Sequence, residues 1–284
     1  MAKLKKQHMT IHWKAIVQDD SSIPATEATL KEKATLVGRI GLMMLSVGTG
    51  AWRVRNSMNK VARCLGITCT ADIGLLAISY TCIEGTDTYT QSISNPTTGV
   101  NTHKLMQLEL FMKEFPDKVS TYSVKHIHEV LDEIQKLPAN YKAWNLGLAS
   151  ALACGAFTFL LGGGPVEMCC AFLGAGVGNF VRKKMLGHSI SLLANVAVSV
   201  AASCLVYVLT ILLAQSLLSV SAVHQAGYIC AMLFVIPGFP LITGGIDLAK
   251  LDLRSGLERV SYALLIILTA TMTSERISFL PCLR

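Results

Sequence analysis

AGYICAMLFVIPGFPLITGGIDLAKLDL, residues 226–253, is a long apolar run that holds two prolines (Pro237, Pro240) and three glycines (Gly238, Gly244, Gly245) and closes on Asp247, Lys250 and Asp252. A span meant only to anchor a protein needs no interruption at mid-depth. Proline removes a backbone donor and clashes with the preceding turn. In lipid, each carbonyl freed this way must find another helix, a side chain or water. Broken spans of this kind point to binding sites in transporters. The competing reading is a kink used only for packing, since Gly and Pro are common in membrane helices.

The rest of the composition agrees with a membrane setting. The 284 residues are 52% hydrophobic and 15% charged, with a mean hydropathy of +0.49. Soluble domains carry about 25% charged residues. Residues 1–140 hold 16 Lys/Arg and 13 Asp/Glu, and residues 141–284 hold 9 and 5. A polar, folded region therefore precedes a membrane domain. The net charge of +7 calls for no nucleic acid, because the N-terminal half has no basic stripe interleaved with aromatics. None of the nine cysteines forms a CxxC pair, which argues against a disulfide framework or a zinc site. MAKLKKQHMTIHWKA has charge but no apolar core, so no secretory signal is expected and the N-terminal half is expected in the cytoplasm.

Residues 1–28 read as a polar leader. Residues 29–65 read as one or two helices, with Leu36, Ile40, Met43 and Met44 at helical spacing, a Gly-Thr-Gly break at 48–50, and Gly66 as a stop. Residues 67–94, rich in β-branched residues and Tyr, read as a hairpin or three short strands. Asn101 can cap a helix through Phe115, and Ser120 or Thr121 can start another through Leu137, stopped by Pro138. The region 29–140 is thus a small cytoplasmic α+β domain with helices on both sides of a sheet.

Five apolar runs follow, at about 144–161, 166–181, 190–217, 226–246 and 257–272. The fold class is membrane α-helical, with about five transmembrane helices in 141–284. A span needs about 20 apolar residues, so the second and fifth are short. With the N-terminal half inside, Arg182, Lys183, Lys184, Lys250 and Arg254 all fall inside, and the outer loops carry no Lys or Arg. Ser255-Gly256-Leu257-Glu258 fits a capping box opening the last span.

Ionisable residues near the runs are few, so each is informative. Glu167, after Gly162-Gly163-Gly164-Pro165 at the outer mouth, either binds a substrate amine or a proton or simply faces water. Asp247, at the inner end of the broken span, either gates or coordinates, or pairs with Lys250 at i+3. Asn195 and Ser199, one turn apart in the third run, serve as helix glue or touch substrate. Gly174, Gly176 and Gly178 point to close helix packing, since a phosphate loop would need a strand before it and a lysine. His126 and His128 lie two apart on a helix and face different ways, so no metal site is expected. No nucleophile elbow is present, and no cofactor is expected.

These motifs together resemble the threonine/serine exporter family, specifically its N-terminal half-domain, over roughly residues 34–272. The resemblance rests on IPGFPLITGGIDLAKLDLRSGLER (236–259), the GGG-x-x-acid turn (162–167), TGAWRVRNSMNKVARCLG (49–66) and GVN (99–101). It implies export of a small polar metabolite by a secondary transporter of the inner membrane. It also implies a separately encoded, small multi-span partner, because fused members carry a second membrane domain. Arg55 after Arg53-Val54, Thr243-Gly244-Gly245 after the Pro-Gly segment, and the tail SERISFLPCLR depart from the family's usual pattern. The expected substrate-binding or gating residues are Pro237, Gly238 and Pro240 as an unwound segment, Glu167 and Asp247 as outer and inner acids, and Asn195 as a hydrogen-bonding contact. With no Lys or Arg counted inside a span, a zwitterion such as threonine or serine is the expected cargo, with succinate as the alternative; self-association stays open. Two rivals are a membrane-anchored sensor or scaffold, whose Pro-Gly-Phe-Pro segment would tolerate substitution, and a hydrolase whose activity would reside in residues 1–140.

Overall fold

The computed structural model describes residue 13 and residues 23–95, 99–138, 141–186, 190–218 and 225–278. Two compact units are present: Ala2–Asn140 with Phe239–Val260, and Tyr141–Gly238 with Ser261–Arg284.

In the first unit, helix α1 (Leu30–Ser46) opens on a capping box in which the Thr29 hydroxyl accepts from the Glu32 N–H and Glu32 reaches back to the Thr29 N–H. Leu36, Val37, Ile40, Met44 and Leu45 are all buried, so α1 is the central rod of this core. Burying each such side chain contributes about 1.5–3 kcal/mol before entropy is subtracted. Gly48 ends α1 at φ +91°, a left-handed conformation that a side chain would strain, and α2 (Ala51–Cys64) follows. The expected break at 48–50 and the stop at Gly66 are both present.

Three antiparallel strands, β1 (Thr68–Ile73), β2 (Ala77–Glu84) and β3 (Asp87–Ser94), form a sheet in the order β1-β2-β3. Its register pairs Cys69 with Cys82 and Tyr80 with Gln91. Period-two alternation sends Ile73, Ile78, Tyr80, Cys82 and Ile93 inward. Gly38 of α1 packs directly on the Tyr80 ring, where any Cβ would collide, and the Tyr80 hydroxyl donates to Gln91 at 2.8 Å. The opposite face carries a hydroxyl ladder, Ser79–Ser92 at 3.1 Å and Thr81–Thr90 at 2.9 Å. Helices precede and follow the sheet in sequence, yet among the described residues α1 and α2 cover one face and the hydroxyl ladder on the other is exposed, which corrects the two-sided expectation.

Helix α3 (Thr102–Lys118) is capped by Asn101, whose side chain accepts from the Lys104 N–H at 3.1 Å. It runs past Phe115 and absorbs Pro116. Helix α4 (Val124–Lys136) starts two to three residues later than read, because Ser123 rather than Ser120 or Thr121 accepts the His126 N–H. His126 is exposed and His128 buried. The buried Arg39 guanidinium joins α1 to α4, donating to His128 Nδ1 (2.8 Å), to the His128 carbonyl (2.9 Å) and to Asp132. Burial, and then the neighbouring Arg39 charge, hold the His128 imidazole down to about 4.

The second unit contains α5 (Ala143–Leu160), α6 (Pro165–Met185), α7 (Leu192–Leu218), α8 (Gln225–Ala231), a 3-10 turn at Leu233–Val235, and the later part of α10 (Leu253–Ser278). Helix α6 lies between α5 and α7, and its glycines are why. A Cβ at Gly176 would sit 3.2 Å from Ala151 of α5, and one at Gly174 would sit 2.9 Å from the Ser203 carbonyl of α7. Small residues let the backbones approach, as the glycine spacing predicts.

Among the described residues, α5, α7 and α10 are long and apolar enough to cross a membrane. The broken pair formed by 225–235 and α9 (Gly238–Ala249) adds a fourth if it is one span. Only 28%, 44% and 22% of the most apolar windows of α5, α7 and α10 are buried within the chain. The uncovered remainder, including Leu152, Phe159, Leu209, Leu213, Leu265 and Leu268, requires lipid or another protein against it.

Candidate functional site

The break in the fourth apolar run lies at Ile236–Pro237. Pro237 has no N–H, and the Gly238 N–H turns to the Ile236 carbonyl at 2.9 Å. In an unbroken helix the Val235 and Gly238 N–H groups would bond the carbonyls of Ala231 and Phe234. Those two carbonyls are instead taken by side chains from neighbouring helices. Ser203 of α7 donates to the Ala231 carbonyl at 2.7 Å, and Arg182 of α6 donates through Nη1 to the Phe234 carbonyl at 2.9 Å. Gly178 makes room for this: a Cβ there would lie 2.6 Å from the Phe234 ring and 2.7 Å from Ser203 Cβ. The Tyr228 hydroxyl donates to the Ser274 carbonyl at 2.7 Å, tying α8 to α10.

Asn195 is 3% exposed and donates through Nδ2 to the Arg182 carbonyl at 3.3 Å, while its Oδ1 is buried with no partner among the described residues. Arg182 takes part in no ion pair among the described residues. A guanidinium, an amide oxygen and the irregular backbone of 232–237 thus share one end of α6. Glu167 lies at the other end, in the first turn after Gly164 and Pro165, 6% exposed, against Gly227 and near the buried, unpartnered Tyr207 hydroxyl. Fifteen residues of helix, roughly 20 Å, separate Glu167 from Arg182. Glu167 and Asn195 therefore do not share a site. Gly238 and Pro240 both sit in the first turn of α9 rather than in unwound chain, so of the three only Pro237 lies in the break; the missing Pro240 N–H costs nothing in that turn.

Asp247 belongs to the other unit and is fully buried. Its carboxylate accepts from the Ala51 N–H (3.0 Å to Oδ1, 3.1 Å to Oδ2) and from the Ser255 hydroxyl (2.9 Å), and it pairs with Arg259 Nε at 3.2 Å. Gly50, the residue before α2, has no side chain to cap it, so Asp247 supplies the missing acceptor and places negative charge at the helix N-terminus. Arg259 also donates to the Thr49 carbonyl at 2.8 Å and from Nε to Ser255 at 3.1 Å. The expected Asp247–Lys250 pair does not form: Lys250 lies over the Trp52 ring at 4.0 Å. Ser255 bonds Asp247 rather than capping α10, which begins earlier, at Leu253. Glu258 accepts from the Leu75 N–H at 2.5 Å, Arg55 pairs with Asp252 at 2.6 Å, and Arg254 pairs with Asp72. Two of the stretches that carry the resemblance, 49–66 and 236–259, meet in this knot.

Sequence reasoning did not single out Arg182, Arg259 or Ser203. Arg182 reads as one of three loop cations, and Arg259 falls inside a run counted as free of Lys and Arg. The available signal for Arg259 was its position: a single cation within an apolar run, one turn after Ser255.

A family model described as "Putative threonine/serine exporter" matches residues 35–274. The chain is 25% identical over 230 residues to the "Probable succinate transporter subunit YjjP" of Klebsiella aerogenes, covering 80% of this chain and 85% of that protein. It is 24% identical over 229 residues to the protein of the same description from Escherichia coli K12, covering 80% and 86%. No solved structure matches it. With 240 of its 284 residues inside one family model, this membrane protein belongs to the threonine/serine exporter family.

Proposed function

We propose that the chain is one subunit of a secondary transporter of the inner membrane, exporting a small carboxylate-bearing metabolite with its N-terminal region in the cytoplasm. The observation that carries this is Arg182: a guanidinium held at the broken helix by the Phe234 carbonyl, with no carboxylate paired to it among the described residues. In a low-dielectric setting such a cation attracts an anion strongly. Pro237 opens the backbone beside it, and Asn195 offers its Oδ1, unpartnered among the described residues, as a hydrogen-bond acceptor. About five spans, with α6 as the second, accommodate the loop charges on one side. Glu167 remains the acid of the outer side, suited to carrying a proton, whereas Asp247 holds α9 and α10 to the Thr49–Ala51 backbone.

The cargo reading shifts with Arg182. The preference for a zwitterion rests on there being no Lys or Arg inside a span. A zwitterion also needs an acid for its ammonium; Glu167 lies at the far end of α6, and Asp247 is engaged by Arg259, Ser255 and the Ala51 N–H. A dicarboxylate of the succinate type fits better, and the similar proteins are described as succinate transporter subunits. Threonine or serine is the second reading, favoured by the family description. The uncovered apolar faces of α5, α7 and α10 favour a multi-span partner subunit.

The test is efflux of preloaded labelled succinate, threonine and serine from cells expressing the chain with and without its candidate partner. Succinate efflux that needs the partner and falls at least about tenfold in Arg182→Gln is expected. Threonine efflux with no succinate efflux would reverse the cargo assignment. No efflux of any of the three, with the chain inserted and partnered, would favour the sensor or scaffold.

A further inference from the structure

The N-terminal unit contains a cavity of about 510 Å³ that the transport reading does not use. Small-molecule sites commonly occupy about 300–1,000 Å³. Its polar lining includes Trp13, Arg39, Ser46, Asn101, Lys104 and Gln135, and none of its described lining residues is acidic. Arg39 is 1% exposed. Four of its five N–H donors are accounted for by His128 (two), Asp132 and Gln135; the fifth, on Nε, is buried with no partner among the described residues. Asp132 balances the Arg39 charge. Lys104 is in no ion pair among the described residues; one of its three donors goes to the Gln135 carbonyl at 2.6 Å, which leaves two. It stands in the first turn of the 17-residue α3, whose dipole adds positive potential there.

We infer that this cavity binds a small carboxylate, held by the Lys104 ammonium, the Arg39 Nε–H and the N-terminal end of α3. The inference stands on a built cavity with a cationic lining, a surplus positive charge and an unpartnered buried donor. Neutral ligands leave Lys104 uncompensated, and cations meet only like charge.

The lip of the cavity also says what an occupant would touch. The Gly99 N–H donates to the Ser46 carbonyl and the Asn101 N–H to the Val47 carbonyl, both at 3.3 Å, so residues 99–101 are zipped to the end of α1. A Cβ at Gly48 would lie 3.3 Å from the Gly99 carbonyl and 3.4 Å from the Phe239 ring of α9. An occupied cavity is therefore one residue layer away from the second half of the broken helix and from the Thr49 carbonyl that Arg259 holds. The consequence for transport rests on the proposed function; binding itself does not. The carboxylate is either the cargo waiting on the cytoplasmic side or a separate effector.

Trp13 provides the readout. The chain has three tryptophans, so the full-length protein carrying Trp52→Phe and Trp144→Phe reports from Trp13 alone. Its emission is followed in detergent during titration with succinate, threonine, citrate and sodium chloride. A saturable change with a carboxylate and not with chloride is expected, weakened at least about tenfold by Lys104→Glu. Lys104 is only half-buried, so an unchanged thermal midpoint is expected to show that this variant still folds. No saturable change with any of the three carboxylates, or a change indifferent to Lys104→Glu, would overturn the inference. A carboxylate that both shifts Trp13 and appears in efflux identifies the cavity as a cargo station. One that shifts Trp13 and is not exported identifies an effector. Loss of efflux with binding intact would count against the transport reading alone; loss of binding with efflux intact would count against the cavity alone.

Discussion

Removing the Asp247 charge would leave Arg259 buried beside Ser255 and Thr49 with its charge uncompensated, while an amide oxygen could still accept from the Ala51 N–H. Asp247→Asn is therefore expected to destabilise the chain by about 3–5 kcal/mol, and Arg259→Met similarly. The double replacement Asp247→Leu with Arg259→Met is expected to cost clearly less than the sum, measured as a double-mutant cycle on unfolding in detergent. By contrast, Arg254 and Asp72 are more than half exposed, and separating them is expected to leave the unfolding midpoint nearly unchanged. Gly178→Ala meets the Phe234 ring and Ser203, and about 1–3 kcal/mol of overpacking cost is expected in the same assay. At this scale the sequence marked Asp247 as unusual because acids are rare in apolar runs. It could not supply the partner: Arg259 is twelve residues on, outside any helical spacing, and is brought back only by the turn between α9 and α10.

A proline inside an apolar run is visible without coordinates; where the freed carbonyls go is not. Pro237 and Pro240 look alike in the sequence, yet one ends the 3-10 turn and the other occupies the first turn of α9. Pro237→Ala is expected to restore helix and depress efflux, while Pro240→Ala stays near the parent, both read as initial efflux rates at matched expression. Ser203→Ala strands the Ala231 carbonyl, and about 1–3 kcal/mol of destabilisation is expected in the unfolding assay. The sheet illustrates the same limit. Alternation of β-branched and polar residues announced strands, but the one-sided cover follows from α1, whose Gly38 admits Tyr80 on the inward face.

For the whole molecule, hydropathy reads 226–246 as one run, while the compact units divide between Gly238 and Phe239. Hydropathy reports affinity for lipid and carries no information about the hydrogen bonds and ion pairs that fasten Asp247, Asp252, Arg254 and Glu258 to residues 49–75. The stability of the N-terminal unit also has a pH signature. His128 is held neutral down to about pH 4, against about 6.5 in an unfolded chain. Above 6.5 neither state binds the proton, and the full stability is present. As pH falls from 6.5 towards 4 the unfolded chain takes up a proton that the folded chain refuses, so stability declines by on the order of 3 kcal/mol and then levels off. The thermal midpoint is expected to follow that curve, and His128→Asn is expected to flatten it.

The bond from Ala51 to Asp247 spans 196 residues of chain. A ribosome adding about 5–20 residues per second makes its acceptor some 10–40 s after its donor. During that interval α2 begins without its cap, and Asp72 and Leu75 await Arg254 and Glu258. Completion of the N-terminal unit is thereby timed by synthesis of the membrane segments. A fragment ending at residue 140 is expected to unfold at a lower temperature than the same fragment given a peptide of residues 239–260.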